Sequence, residues 1–388
     1  MTRKVAPAHG PRQPEQASFP GPMTAARFLR GYWQKRPLLV RAAFPAFEDP
    51  LSVREVLALA QSPDAESRIV RKAGRQWSVE HGPFPRPALQ KRPARDWTVL
   101  VQDTNHFSAK AQALLSRFAF IPHARVDDLM VSYAVPGGTV GPHVDSYDVF
   151  LIQGAGRRRW QVSRQEDLEF VPGLDLRILA RFEPQEEWVL EPGDMLYLPP
   201  DVAHYGIAET DCLTWSVGFR APSDAELAAA FLDHLSEKLS LDGRYGDPGL
   251  APTRHAGEIP HRLLAHVGKT LQRIRWSRRD ATEFAGRFLS EPKPHVYFTA
   301  PERPLPRARF DAAARRRGLC LDRRARLLYA RGTFFLNGEI VVAPLACAPW
   351  LRQLADARRL ALPAQAPASF FKLAHEWYAR GMLRIGAE

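Results

Sequence analysis

Three residues in the middle of the chain have the types and the spacing of a metal site. His143 and Asp145 lie two residues apart in an extended, aromatic-rich segment, and His204 follows the loop LPPDVAHYG later in the chain. On a strand, side chains at i and i+2 point to the same face, so this imidazole and carboxylate can converge on one ion. Two histidines and one carboxylate leave the opposite positions of a metal open, which is the ligand set of non-haem Fe(II) oxygenases.

The segments around these residues favour a metal site over an accidental cluster. His143 ends a glycine-rich stretch, PGGTVGPH, in which backbone can approach a ligand closely. His204 follows a tight turn at Pro192-Gly193-Asp194 and a short apolar run, MLYL, that predicts a buried strand. The alternative is a β-sandwich that carries two unrelated histidines. Because both segments occur in this order, we favour the metal site.

A run of three arginines lies between these two segments, after the turn GAG. A charge run usually lies on a solvated face, yet alternation along a strand turns at least one of Arg157, Arg158 and Arg159 inward. A buried guanidinium without a partner is costly, and a dicarboxylate co-substrate would supply that partner through two parallel hydrogen bonds. The residues alone do not choose among the three.

The elements that must position these side chains form a β-rich core. From Tyr133 to Trp215, short strands alternate with Gly/Pro turns at close spacing, which is typical of a sandwich or barrel. The strand count fits a double-stranded β-helix of the jelly-roll type. Upstream, the sequence predicts a helix from Thr24 with an extended LLV segment, a helix with a capping box over 52–60, a hairpin over 70–80, a strand over 97–101 and a helix over 108–120.

Downstream of Arg220 the pattern becomes helical. Ser223 and Glu226 predict a capping box at a helix start. An apolar stripe then repeats every four residues: Leu227, Phe231, Leu235 and Leu239. Further helices are predicted near 260–276 and 281–289. The stripe faces either the barrel or a second subunit, and the sequence leaves this choice open.

The residues after about 291 predict a winged helix. Asn337-Gly338 between apolar runs is the strongest short hairpin signal, and two helices follow near 348–360 and 368–380. The segment ARFDAAARRRGLCLDRRAR is basic, as in nucleic-acid-binding folds, but the hairpin edge is not basic and acidic residues interrupt the charge. We therefore favour contact with a protein over direct binding of nucleic acid.

Composition and charge narrow the partners and the cellular compartment that the protein could have. The 388 residues carry a formal charge of +12, from 54 Lys+Arg against 42 Asp+Glu, which favours phosphate, RNA or a ribosome as partner. Three cysteines without C-x-x-C spacing indicate free thiols of a reducing compartment. No apolar run approaches the ~20 residues of a membrane helix. We expect a cytoplasmic protein without membrane contact, with a disordered tail over 1–21.

The motifs also resemble a known family. HVDSYDVFLIQGAGRRRW, joined to PGDMLYLPPDVAHYG, resembles the JmjC-type cupin oxygenases, and in detail the bacterial ribosomal oxygenases. FLRGYWQKRPLLVR and WTVLVQD extend the resemblance, which covers most of the chain after about residue 22. That branch hydroxylates an arginine of large-subunit ribosomal protein sixteen, and its helical region makes a homodimer. The C-terminal part matches only in the order and type of its elements.

The resemblance implies roles for particular residues. It makes His143, Asp145 and His204 the ligands of Fe(II), with 2-oxoglutarate as co-substrate and dioxygen as oxidant. The basic residue that anchors 2-oxoglutarate stands fifteen positions after the first ligand, which is Arg158. One departure is that relatives often carry a hydroxyl residue near Ala134, so part of the co-substrate contact is left open.

An arginine substrate is a cation, so its pocket should offer a carboxylate and an aromatic face. The resemblance favours Asp128, Tyr147 and Ser216 for this role. Their alternative interpretations are, in the same order, a turn carboxylate at a strand end, a core tyrosine and a β-sheet serine.

The sequence thus predicts a β-rich α+β protein and a ribosomal protein arginine hydroxylase. Its predicted domains are a tail over 1–21, a JmjC-type cupin over 22–220, a helical dimerisation region over 221–290 and a winged-helix-like domain over 291–388. Two alternatives stay open. One is a histidyl hydroxylase or a demethylase of the same fold. The other is a non-catalytic metal-binding cupin that docks on a ribosomal or nucleic-acid partner.

Overall fold

The structure is a computed structural model, and it describes residues 19–74, 76–174, 176–361 and 365–386. The predicted tail over 1–21 lies outside these residues as far as residue 18. Phe19, inside that predicted range, is buried and stacks on Phe28 with ring centroids 4.6 Å apart. The described chain forms two compact units. The first runs to Ala221 and adds Lys293–Ala325 and the chain from Ala343, while the second joins Pro222–Pro292 to Arg326–Val342.

The elements before the barrel follow the local signals in the sequence. They are α1 (Ala25–Gly31), β1 (Leu38–Val40), α2 (Val53–Leu59), β2 (Ser67–Ala73), β3 (Gln76–His81), α3 (Arg86–Gln90), β4 (Trp97–Val101), α4 (Thr104–Phe107) and α5 (Ala109–Ser116). The predicted capping box on α2 is confirmed, since Ser52 and Glu55 each accept a hydrogen bond from the other's amide. Helix α5 ends before the predicted residue 120 because the chain tightens into i→i−3 turns there.

The barrel itself is built from two antiparallel sheets. After a 3₁₀ helix at His123–Arg125 come β5 (Val126–Ala134), β6 (Asp148–Gln153), β7 (Arg158–Ser163), β8 (Glu186–Leu190), β9 (Met195–Leu198), β10 (Ala203–Ala208) and β11 (Cys212–Phe219). The larger sheet has the order β1-β9-β6-β11-β5-β4-β2-β3, and the smaller one has the order β10-β7-β8. The jelly-roll prediction is confirmed by these facing sheets.

The larger sheet has two different faces. On β11, Leu213, Trp215 and Val217 pack into the core shared with the N-terminal helices. The alternate residues of β11 point the other way, and on β6 this inner face is apolar, with Val149 and Leu151 packed against side chains of the smaller sheet. The sequence parity of the strands therefore decides which polar groups face the interior.

The remaining elements complete the chain. They are α6 (Asp224–Lys238), α7 (His261–Leu271), α8 (Arg278–Ser290), α9 (Arg307–Arg317), β12 (Leu319–Leu321), β13 (Leu327–Ala330), β14 (Thr333–Leu336), β15 (Glu339–Val341), a 3₁₀ helix at Leu345–Cys347, α10 (Ala348–Ala357), β16 (Arg359–Leu360), α11 (Ala368–Ala379) and β17 (Leu383–Ile385). The hairpin predicted at Asn337-Gly338 joins β14 to β15, and both residues have positive φ as a two-residue turn requires. Helix α9 was not predicted, because only Phe310 and Ala314 of this arginine-rich helix are buried.

In the second unit, the apolar stripe of α6 packs inside the unit. Phe231 meets Phe284 of α8 at 5.3 Å between ring centroids, and Leu235 is buried. Leu227, Phe231 and Leu239 of the stripe are half-buried, so a further partner of the stripe stays a prediction. A different apolar surface is exposed: Leu264, Val267 and Leu271 of α7 are 53%, 46% and 60% exposed.

A candidate metal centre beside a buried arginine

His143 and His204 face each other across an isolated antiparallel bridge. Each histidine amide donates to the other residue's carbonyl, at 3.0 and 2.9 Å, and the ring centroids lie 4.2 Å apart. In each ring Nδ1 lies close to a backbone carbonyl two residues earlier, that of Gly141 at 2.9 Å and that of Val202 at 3.0 Å. With Nδ1 as the donor in these bonds, Nε2 carries the lone pair that a metal needs.

Asp145 completes the group. Its Oδ1 lies 3.8 Å from Nε2 of His143, and its Oδ2 lies 3.6 Å from Nε2 of His204. Ligand atoms of the three residues all lie within 4.8 Å of one another. The predicted convergence is confirmed, but its predicted cause is wrong, because Asp145 lies in an irregular segment before β6 and His143 only in the isolated bridge. The carbonyl of Asp145 accepts from the amide of Asp201 at 2.9 Å, which ties this segment to the loop before His204.

The charge state of the group suits a divalent metal. Burial, and then the neighbouring His143, lower the pKa of His204 to about 4, so its imidazole is neutral at pH 7. Neutral imidazoles with free Nε2 atoms and one carboxylate are the donor set of non-haem Fe(II). The side chain of His204 is buried whereas those of His143 and Asp145 are partly exposed, so one side of the group stays open.

Arg158 lies on the inner face of β7 and is 3% exposed. Its guanidinium donates to Ser132 Oγ at 3.1 Å and to the carbonyl of Gly206 at 3.3 Å, and Thr214 Oγ1 lies 3.5 Å away. Within the described residues, no carboxylate is close enough to shift the pKa of Arg158, and its Nε has no hydrogen-bond partner. Burial lowers the pKa of Arg158 from its usual value. A buried cation with hydroxyl neighbours and no anion is suited to an anionic ligand.

The two flanking arginines point outward, as strand alternation requires. Arg159 is paired with Glu209 at 2.6 Å and Glu187 at 3.2 Å, and the side chain of Arg157 is 52% exposed beside Glu209. The structure therefore separates one inward arginine from two surface ones, a choice that the sequence left open.

The register of β10 against β7 places Arg158 near the metal ligands. Ala208 stands opposite Arg158 and Gly206 opposite Trp160, so small residues face the two large side chains. A Cβ on Gly206 would lie 2.7 Å from Arg158 Nε, so only glycine fits here. The indole of Trp160 lies between Arg158 and His204. Its ring centroid is 5.9 Å from that of His204 and 5.0 Å from the guanidinium carbon of Arg158.

Ser132 and Thr214 are residues near the site that sequence reasoning missed. They stand opposite each other on β5 and β11 and supply the hydroxyls around Arg158. The co-substrate contact that the sequence left open is near Ala134, which lies two residues beyond Ser132 on the same inner face. The signal that identifies them is strand parity, since Ser132 shares the face of Asp128 and Thr214 that of Ser216.

The three residues predicted to meet the substrate lie on this same inner face. Asp128 is buried, and Ser216 stands opposite Met130, its neighbour on β5. Tyr147 is half-buried, and a Cβ on Gly218 would lie 3.8 Å from its ring and 3.5 Å from Asp128 Oδ1. Burial, and then Asp145, raise the pKa of Tyr147 to about 12, so its phenol stays neutral. Asp128 has a further neighbour that no sequence pattern indicated, the ammonium of Lys293 at 3.6 Å.

Comparisons with known proteins agree with this geometry. A JmjC domain matches residues 113–227, and a ROXA-like winged helix matches residues 273–384. The chain is 35% identical over 319 residues to ribosomal protein uL16 3-hydroxylase of Escherichia coli K12, across 82% of this chain and 85% of that protein. It is 43% identical over 259 residues to a probable ribosomal oxygenase of Haemophilus influenzae, across 65% of this chain and 61% of the relative.

Solved structures extend the match. The structure of YcfD, a ribosomal oxygenase from Escherichia coli, in complex with cobalt and 2-oxoglutarate matches with a TM-score of 0.79 and 32% identity. It covers 93% of this chain and 98% of that one. Among the helices of the described residues, none has the length and apolar character needed to cross a membrane.

Proposed function

This chain belongs to the family of ribosomal oxygenases, and we propose that His143, Asp145 and His204 hold its Fe(II) and that Arg158 binds its co-substrate. It is a 2-oxoglutarate-dependent dioxygenase that hydroxylates an arginine side chain of a large-subunit ribosomal protein. Iron, 2-oxoglutarate and dioxygen are its cofactor and co-substrates. We also propose that the reaction takes place in the cytoplasm, because its substrate is a ribosomal protein.

The observation that carries the co-substrate assignment is the unmatched charge of Arg158. Two buried N–H groups, Arg158 Nε and Trp160 Nε1, lack an acceptor among the described residues. A carboxylate beside the guanidinium would supply an acceptor to Arg158 Nε and neutralise its charge. The distal carboxylate of 2-oxoglutarate is such a group, and the hydroxyls of Ser132 and Thr214 already orient the arginine.

The chain's own contribution to the reaction is positional. Bound iron, with dioxygen, supplies the oxidation that converts 2-oxoglutarate to succinate and carbon dioxide and inserts one oxygen into a C–H bond. The backbone carbonyls of Gly141 and Val202 hold the two imidazoles with Nε2 inward, so the ligands do not have to reorganise. The indole of Trp160 packs between His204 and Arg158 and limits the movement of both side chains.

The substrate arginine is proposed to approach along the inner face of β5 and β11. Asp128 offers a carboxylate, Tyr147 an aromatic face two residues after Asp145, and Ser216 a hydroxyl. A guanidinium that stacks on the tyrosine and donates to the carboxylate would bring its own methylene groups toward the metal. The absence of a side chain at Gly218 leaves room between the two contacts.

Mass spectrometry of ribosomal proteins tests the function. The protein is incubated with Fe(II), 2-oxoglutarate and purified ribosomal proteins, and a product heavier by the mass of one oxygen, about 16 Da, is sought and mapped. Hydroxylation on arginine supports the proposal. Hydroxylation on histidine or loss of a methyl group would instead select the histidyl hydroxylase or the demethylase. Absence of both succinate and product would select the non-catalytic metal-binding protein.

We also propose that the chain forms a homodimer through its second unit. Leu264, Val267 and Leu271 of α7 share one face at i, i+3 and i+7 and are exposed. Leu232 and Trp276 of the same unit are 64% and 60% exposed. Apolar surface of this kind is typical of a surface that a second copy covers.

A further inference from the structure

Lys293 lies among three aspartates of the barrel unit. Its ammonium is 3.1 and 3.2 Å from the two carboxylate oxygens of Asp103, which follows β4. The same nitrogen is 3.6 Å from Asp127 Oδ1 and 3.6 Å from Asp128 Oδ2, at the start of β5. The hydrogen bonds of Lys293 thus go to Asp103, while Asp127 and Asp128 lie at ion-pair distance without being consumed as its hydrogen-bond acceptors.

The backbone around Lys293 holds the lysine in place. Proline flanks it on both sides, which limits the conformations of the segment. The carbonyl of Lys293 accepts from the amide of Val296 at 2.9 Å. His295 Nε2 lies 3.3 Å from Asp103 Oδ2, so Lys293 and His295 of one short segment both contact the carboxylate of Asp103. Lys293 is therefore a fixed part of the barrel unit and not a surface lysine that samples many positions.

The cluster adjoins the face on which the substrate is proposed to bind. Asp128 Oδ2 accepts from the amide of Asp103 at 3.2 Å, which leaves Oδ1 facing the space at Gly218. Tyr147 borders that space. The charged and titratable groups around Asp128 are Lys293, Asp103, Asp127 and Tyr147, with His295 and Glu66 behind Asp103 and Arg68 beside Tyr147.

Burial disfavours the ionised form of Asp128, which is the form that attracts a guanidinium. It raises the pKa of Asp128 to about 7, with Asp103 and Asp127 acting in the same direction and Lys293 in the opposite one. A protonated Asp128 would be neutral and would lose its attraction for a guanidinium. The pKa of Lys293 is raised, because the three carboxylates outweigh the effect of burial, so the lysine remains charged.

We propose that Lys293 is a positioning residue for the cationic substrate: anchored on Asp103, it keeps Asp128 ionised and oriented toward the space beside Tyr147. This inference rests on the proposed function, since it assigns the cation to the arginine of the substrate. Ionised Asp128 keeps one oxygen, Oδ1, that faces this space and can accept from a second cation. A residue that follows the helices of the second unit in the sequence thereby completes the substrate pocket of the JmjC domain.

The test compares Lys293→Gln and Lys293→Met with Lys293→Arg in the full-length protein. An arginine peptide and its citrulline analogue, which is neutral and nearly the same shape, are the two probes. In the wild type, peptide affinity should rise with pH through about 7. Loss of an opposite charge at this distance moves a carboxyl pKa by about 1–3 units, so both neutral variants should bind the arginine peptide at least about fivefold more weakly at pH 7.

Three further results are expected from the same set. The loss in the neutral variants should shrink above pH 8.5 as Asp128 ionises, and Lys293→Arg should restore the wild-type profile. Citrulline-peptide affinity and the KM for 2-oxoglutarate should stay unchanged. Asp128→Asn should discriminate poorly between the two peptides at every pH, and adding Lys293→Met to it should have little further effect.

A second measurement does not depend on turnover or peptide. Carbon-13 NMR of aspartate-labelled protein, with Asp128→Asn to assign the signal, follows the carboxyl titration directly. An unchanged Asp128 midpoint in Lys293→Met, or tighter arginine-peptide binding by that variant, would overturn the role of Lys293. If the wild type hydroxylates no ribosomal protein, the proposed function fails, while the NMR titration still decides whether Lys293 controls Asp128.

Discussion

Arg158 and Lys293 are two cations of the same barrel unit, and their surroundings are opposite. Arg158 has hydroxyls, a carbonyl and an indole around it, and no described carboxylate forms an ion pair with it. Lys293 has three aspartates within 3.6 Å. The shared strand β5 connects the two places, with Ser132 beside the arginine and Asp128 beside the lysine. Four residues of a strand separate these contacts by roughly 13 Å.

The difference shows that the charges around a buried group indicate the charge of the ligand that binds there. The charge of Arg158, which no described carboxylate neutralises, indicates an anionic ligand, and the Asp128 oxygen that faces the space beside Tyr147 indicates a cationic one. The first agrees with a 2-oxoglutarate carboxylate and the second with an arginine side chain. The metal ligands, in contrast, are held by neutral backbone carbonyls, so their donor atoms stay available.

The largest loss of turnover should come from a change in the proposed metal centre. Asp145→Ala removes a ligand without removing core volume, so we expect turnover to fall to background with an unchanged fold. Succinate release, bound iron and circular dichroism measure this. Asp201→Asn is the matched control, because that side chain is exposed and the hydrogen bond from the backbone N–H of residue 201 to the carbonyl of Asp145 is retained. Succinate release at the wild-type rate with iron bound to Asp145→Ala would contradict the ligand assignment.

Arg158→Met tests the anion side of the comparison. Losing a charge-assisted hydrogen bond costs about 1.5–3 kcal/mol, so the KM for 2-oxoglutarate should rise roughly 10- to 150-fold while the KM for peptide changes little. Arg157→Met and Arg159→Met are matched controls with exposed side chains and should have small effects. An equal rise in all three variants would show that the inward arginine is not the anchor.

Substitutions of two glycines, Gly206 and Gly218, test the two sites separately without changing a charge. A Cβ on Gly206 would lie 2.7 Å from Arg158 and Trp160, so Gly206→Ala should cost about 1–3 kcal/mol of overpacking and raise the KM for 2-oxoglutarate. A Cβ on Gly218 would make ordinary contacts at 3.5 to 3.8 Å.

Gly218→Ala should therefore fold normally and raise only the KM for peptide, by less than tenfold. Thermal unfolding and the two KM values distinguish the effects. If Gly218→Ala impaired 2-oxoglutarate and peptide equally, the separation of the two sites would be wrong.

The smallest effect on chemistry should come from α7, which lies outside the barrel unit. Leu264→Glu and Leu271→Glu should convert a dimer to a monomer in sedimentation and leave peptide-independent turnover of 2-oxoglutarate nearly unchanged. Lys269→Glu is the control, since it changes charge at an exposed position. Phe231→Glu is a poor test of dimerisation, because that ring packs on Phe284 and its loss would unfold the unit. A wild type that is monomeric at micromolar concentration would end the dimer proposal.

Much of the fold could be predicted because its signals are local. The capping boxes at Ser52 and Ser223, the turn at Asn337-Gly338 and the strand at Trp97–Val101 depend on neighbouring residues, and all four are confirmed. The convergence of the metal ligands was also predicted, although an irregular segment and not a strand brings His143 and Asp145 together.

The rest could not be predicted because it depends on long-range pairing. Which arginine faces inward follows from the register of β7 against β10, and Thr214 reaches Arg158 only because β11 pairs with β5. The partner of the α6 stripe is α8, a contact that periodicity alone does not specify. Lys293 lies far from Asp128 in the sequence, and nothing in its own segment, PKPH, indicates three aspartates around it.

The position of Lys293 in the chain has a consequence for synthesis. Asp128 leaves the translating ribosome 165 residues before Lys293, which is the difference between the two positions. At about 5–20 residues per second, roughly 8 to 33 s pass before the ammonium can reach the carboxylates. Only after His204 is synthesised does the nascent JmjC domain carry all three proposed iron ligands and Arg158, and 89 residues then remain before Lys293. The order of translation thus assembles the oxygen chemistry first and substrate recognition last.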